Sequence, residues 1–215
     1  MKRIATFTAI CLMAVASVSY AQQPRIETPI STGAGGFTLY VSTPQSDGPY
    51  DFAKNKGPKV NTINGDTYGE LMFGAKLSGT DTARVLFKVA VFRDDKAIER
   101  KKPYTAEVIA QNIIKQNGFV GRAFKFDCPE PSFQVTTMAC YKMVGTPIFN
   151  KEEMAIRSAV TVVAIGLNNN TQGFAYVGEV IDDNAKLFDS DSTYATKGAT
   201  GAAAGMFKNS HLQMH

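Results

Sequence analysis

The chain has 215 residues, 23 Lys and Arg against 19 Asp and Glu, 10% aromatic residues and no Trp. A formal charge of only +4 lacks the concentrated basic field that counterion-release binding needs, which argues against nucleic acid as a partner. The length suits one main core rather than two.

Residues 1-21 read as an export signal. Lys2 and Arg3 precede the mostly apolar stretch Ile4 to Val18, and Ser19-Tyr20-Ala21 offers small residues at a signal-peptidase site. Cleavage near Ala21 would leave a chain of charge +2 beginning at Gln22, periplasmic or secreted, with no membrane span in its mature form. Cys11 departs with the signal.

Residues 22-66 are rich in Gly, Pro, Asn and Thr and read as an irregular arm with one strand, Phe37 to Thr43. Gly33-Ala34-Gly35-Gly36 precedes that strand instead of opening a helix, so it reads as a flexible entry and not a phosphate cradle. Lys54, Lys56 and Lys59, and later Arg100, Lys101 and Lys102, read as solvated loops.

Residues 67-182 carry the core. Leu71, Phe73, Ala75 and Leu77 alternate along one strand, and Val85, Phe87, Val89 and Val91 along the next; Ser78 to Thr82 joins them as a hairpin. One helix follows. Thr105 caps it, Tyr104 and Ile109 have hydrophobic-staple spacing, Asn117-Gly118 stops it, and Ala106, Ile109, Ala110 and Ile113 form its apolar stripe. A β-branched run ending in Asn168-Asn169-Asn170 and the strand after it predict a second hairpin. The fold class is α+β: a predominantly antiparallel sheet of about six strands with one main helix packed on a face. In outline, the order of elements over residues 67 to 181 resembles the PsbP/Mog1-type arrangement, among others, a likeness of order that no motif carries further.

Between the helix and the second hairpin lies FDCPEPSFQVTTMACYK, with Cys128 and Cys140. An even count in an exported chain favours a disulfide. If the two cysteines sit opposite one another, Phe126 faces Lys142 and Phe124 faces Val144; a tight turn at Pro129 to Ser132 would instead put Cys140 out of reach. A redox role lacks the close C-x-x-C spacing.

Residues 183-215 turn polar and then enter KGATGAAAG, whose small side chains bury little area, so this segment reads as a flexible tail. His211 and His215 lie at its end, where nothing is expected to orient them. Asp182, Asp183, Asp189 and Asp191 fail the calcium-loop order, since Tyr194 stands where a glycine is needed. No nucleophile elbow, phosphate loop or zinc-helix motif is present, and Glu70, Glu107, Arg157 and Glu179 need a structure to show whether any converge.

The expectation is a non-catalytic protein-binding domain with no cofactor, its partner another envelope or exported protein: an inhibitor, an immunity-type factor or an envelope-assembly accessory. The first alternative is a small-ligand or lipid-binding module with Phe87, Phe92, Phe124 and Phe126 in a helix-sheet cleft; the second is a carboxylate-dependent hydrolase.

Overall fold

A computed structural model describes residues 26–43, 50–52, 58–63, 65–77, 83–116, 119–120, 122–149, 152–153, 157–182 and 186–215. The strands are β1 (Ile26–Ser31), β2 (Phe37–Thr43), β3 (Tyr50–Phe52), β4 (Lys59–Ile63), β5 (Asp66–Leu77), β6 (Ala83–Arg93), β7 (Phe119–Val120), β8 (Ala123–Lys125), β9 (Thr137–Phe149), β10 (Glu152–Glu153), β11 (Arg157–Leu167), β12 (Gln172–Asp182) and β13 (His211–Met214). The helices are α1 (Ala106–Gln116) and α2 (Lys186–Asn209). The large antiparallel sheet runs β10-β9-β11-β12-β6-β5-β3, with β4 added to β5 and β7 and β8 added to β9; the small sheet is β1-β2-β13.

Strict alternation decides what each face of the large sheet packs against. Leu71, Phe73, Ala75, Val85, Phe87, Val89, Val91, Phe174, Tyr176, Val180, Val163 and Ile165 are buried on one face, under α2 and the small sheet. Val160, Val162, Ala164, Ala175 and Val177 are buried on the other, under α1. Both predicted strand pairs form: Phe73 pairs with Phe87, and Val163 pairs with Tyr176. The second turns through Asn168, Asn169 and Asn170, all at positive φ, a conformation that Asn tolerates better than most residues. The joining loop of the first, Ser78 to Thr82, lies outside the described residues, as do the signal segment, Asn117-Gly118, Lys54, Lys56 and Asp183.

The helix α1 forms for the reasons its sequence gives. Val108 N donates to Thr105 Oγ1 at 3.2 Å, Tyr104 and Ile109 belong to one apolar cluster, and the stripe Ala106, Ile109, Ala110 and Ile113 is buried.

Three expectations are corrected. The tail is not flexible: α2 buries Ala199, Ala202, Ala203, Met206 and Phe207, and β13 pairs with β2. The histidines are therefore oriented, His211 stacked on Tyr40 at 4.4 Å and His215 Nε2 2.7 Å from Thr38 Oγ1. Among its described residues the leading arm is not irregular either, because Ile30, Phe37, Leu39 and Val41 all turn into the core. Its glycine-rich entry is a turn held by Arg93, whose guanidinium donates to Thr32 O and Ala34 O.

The third correction concerns register around the disulfide. Cys128 and Cys140 are bonded, with Cα atoms 5.4 Å apart, but they are not opposite one another. Phe124 pairs with Lys142, and Phe126 N donates to Cys140 O, two residues out from the expected register. The reason is that β8 ends at Lys125, so Cys128 lies beyond the strand and reaches back diagonally. Phe126, just before the disulfide loop, and Phe133 and Val135 within it then pack on the core beneath α2. Replacing both cysteines by Ala should cost roughly 2–3 kcal/mol for a loop of this size. Urea unfolding would check this; an unchanged midpoint would mean the segment is held by packing alone.

Candidate functional site

α1 covers only part of its face, packing on β9, β11 and β12 and leaving β5 and β6 partly open. At one end of that open strip is a cleft of about 500 Å³ lined by Asp66, Asp94, Arg100, Lys101, Lys102, Tyr104, Val108 and Asn112. It draws on the start of β5, the loop from β6 to α1, and one side of α1.

The loop is built to hold its shape. Asp94 N donates to Thr171 O, and Asp94 Oδ1 accepts from Lys96 N at 2.9 Å. Ala97 N then donates to Asp94 O, Arg100 N to Lys96 O, Lys101 N to Ile98 O and Lys102 N to Ala97 O. Ala97 is fully buried, which anchors the coil of backbone, and Tyr104 N closes the segment onto Asn170 O at 2.6 Å. Lys101 sits at φ 54°, a left-handed conformation that costs a non-glycine residue about 1 kcal/mol and persists because the surrounding bonds hold it.

Charge is arranged unevenly across this cleft. The Arg100 guanidinium pairs with Asp94 and, at 2.8 Å, with Asp66. Burial alone would push the Asp94 carboxyl up, but hydrogen bonds from Arg100 and from Lys96 N outweigh it and hold the group below the usual carboxylate range. Lys101 and Lys102 have no ion-pair partner among the described residues. Beneath them runs an aromatic row, Tyr104 against Phe92 at 5.7 Å and Phe92 against Tyr68 at 5.3 Å. Around the cleft, large apolar side chains face water: Ile98 is 53% exposed, Val108 40%, and Ile63, the ladder partner of Asp66, 69%.

A carboxylate with a depressed folded pKa stabilises the fold above its unfolded pKa of about 4, and that contribution is lost as pH falls through the folded value. Arg100→Met should therefore lower the thermal midpoint at pH 7, and the gap to the parent should shrink as the solution is acidified past that range. A gap independent of pH would mean that the arginine acts through packing rather than charge.

The other acidic candidates lie outside this cleft, although Glu70 and Glu179 both interact with Lys88. Glu70 accepts from the Tyr68 hydroxyl and pairs with Lys88 at 2.5 Å; burial opposes its ionisation, but Lys88 and Tyr68 hold its pKa low. Glu179 accepts from Ser158 Oγ at 2.7 Å, and burial raises its pKa. Glu107 takes the Tyr141 hydroxyl and Lys125 on the far side of α1. No group of three or more His, Cys, Asp and Glu among the described residues could hold a metal ion.

The four phenylalanines are not gathered into one cleft either. Phe87 is buried in the core under α2, with Phe126 packed against that core, while Phe92 packs on the opposite face with Tyr104. Phe124 is 52% exposed near the β9 edge, 5.4 Å beneath the Arg122 guanidinium. Alternation separates Phe87 from Phe92 at once, since odd and even residues of β6 face opposite ways. What sequence reasoning passed over was the run from Asp94 to Lys102, of which only Arg100, Lys101 and Lys102 drew a reading, as a solvated loop. Its one signal is the apolar pair Ala97-Ile98 in a stretch otherwise made of charge.

A disulfide belongs to an oxidising compartment, so this is an extracytoplasmic protein. Among the described residues no helix is long and apolar enough to cross a membrane. No family model and no curated protein matches the chain. Among solved structures, the chain is similar to the crystal structure of LpqN, involved in cell envelope biogenesis of Mycobacterium tuberculosis. The two are 11% identical over 88% of this chain and 91% of that one, with a TM-score of 0.35, a loose likeness of shape.

Proposed function

We propose that this chain is an exported, non-catalytic protein-binding domain, released by cleavage near Ala21, whose contact surface is the cleft between β5, the 94–104 loop and α1. The observation that carries the reading is the ring of exposed Ile63, Ile98 and Val108 around a cleft whose backbone is tightly hydrogen-bonded. Apolar side chains presented to water from a strand, a hydrogen-bonded turn and a helix cost the free protein little to pre-order and gain when a partner covers them. Tyr104 and Arg100 beside them are of the residue types that concentrate binding energy at protein interfaces. The partner is another envelope or exported protein, and the role that of an inhibitor, an immunity-type factor or an envelope-assembly accessory.

A photo-reactive amino acid at position 98, irradiated in the protein's own envelope, should give one discrete protein adduct. The same group at position 124, equally exposed but on the other face, should give none. The adduct should persist in Glu70→Gln, Glu107→Gln and Glu179→Gln backgrounds, because none of these carboxylates belongs to the cleft. No adduct from position 98, or equal adducts from both positions, would sink the proposal.

A further inference from the structure

The charges of the cleft say what kind of partner segment it takes. Arg100, the strongest local cation, is already held by Asp66 and Asp94, so its charge is answered inside the molecule. Lys101 and Lys102 line the same cleft with no such answer among the described residues. Lys101 is also the residue held in the left-handed conformation, which fixes the chain direction at the point where the two ammonium-bearing side chains leave it. The same lining includes Tyr104 and the exposed Val108, an apolar side of the cleft, with Asn112 adding an amide that both donates and accepts. A cleft lined by positive charge with no partner among the described residues and by aromatic and aliphatic side chains complements a carboxylate flanked by an apolar side chain.

We infer that the occupant of this cleft is an acidic segment of the partner protein, with one or two Asp or Glu carboxylates meeting Lys101 and Lys102 and a neighbouring apolar side chain resting on Tyr104 and Val108. This rests on the protein-binding reading and adds the chemistry of the partner to it. The lysines act as point charges here, so the contact should be strongly salt-dependent and tolerant of whether Asp or Glu supplies the anion.

The test uses the full mature chain and a blocked peptide of four glutamates around one tyrosine as probe, followed by backbone amide NMR. Shifts should concentrate at residues 98–104, Val108 and Asn112, and fade as salt is raised. The matching glutamine peptide should bind about tenfold more weakly, the effect of two partly solvated charge contacts. Lys101→Gln with Lys102→Gln should weaken the glutamate probe by a similar factor without altering the thermal midpoint. Lys101→Glu with Lys102→Glu should reverse the preference toward a lysine version of the peptide, which separates lost recognition from a damaged fold. Equal binding of the glutamate and glutamine peptides, or no change in the double variants, would overturn the acidic occupant while leaving an adduct at position 98 standing. Inorganic phosphate reproducing the same shifts at the same concentration would overturn it too, since the site would then take a free anion.

Discussion

A chain ending at residue 194 should not fold, showing neither a cooperative thermal transition nor dispersed amide signals. The truncation removes Ala199, Ala202, Ala203, Met206 and Phe207 from the core, and takes β13 off β2. Phe207 alone makes an edge contact with Tyr176 at 6.0 Å and a tilted one with Phe133 at 5.9 Å. Deleting a buried phenylalanine side chain costs about 3–5 kcal/mol, counting transfer and the cavity left behind. Met206 adds a second loss of similar kind, against a whole stability of about 5–15 kcal/mol for an ordinary domain. Phe207→Ala serves as the graded version, with a drop of about 3–5 kcal/mol expected in urea unfolding. A truncated protein that melted cooperatively within a few degrees of the parent would show that the helix rests on the sheet without supporting it.

Why the tail misled a reading of sequence is visible at single residues. Apolar periodicity measures side-chain area, and KGATGAAAG has little of it. Yet small side chains let backbones approach, and close approach gives dispersion contact that area-counting on a helix does not register. Where elements are specified by local signals they could be read directly: the alternation in β5 and β6, the Asn turn into β12, the Thr105 cap. The pairing of Cys128 with Cys140 was legible from compartment and count, but its register was not, because β8 stops three residues before Cys128 and nothing in the local sequence marks that end. The cleft was least legible of all. Its parts come from Asp66, the loop after Arg93 and one side of α1, and it is the β5-β6 ladder, pairing Thr67 with Arg93, that brings the first two within reach of the Arg100–Asp66 ion pair.

The approach of α2 to the sheet leads to a second large effect, at Gly178. This residue lies on the α2 face of β12, where a Cβ would stand 2.1 Å from Ala199 O and 2.9 Å from both Ala202 Cβ and Ala203 N. Two of those three atoms are helix backbone, which cannot rotate aside as a side-chain tip can. Gly178→Ala should therefore cost about 3 kcal/mol, the upper part of the range for overpacking, by forcing α2 away from the sheet or distorting β12. Gly74→Ala is the matched control, since a Cβ there meets nothing within 4 Å. It should raise stability by about 0.5 kcal/mol by restricting the unfolded chain. Urea midpoints for the two variants should thus move in opposite directions. The cleft lies on the other face of the sheet, so the glutamate probe should bind folded Gly178→Ala protein as it binds the parent, separating what holds the molecule together from what it presents to a partner. Equal midpoints for the two variants would mean that α2 can slide along β12 without loss, and that the small residues of its sequence are not there to let it pack close.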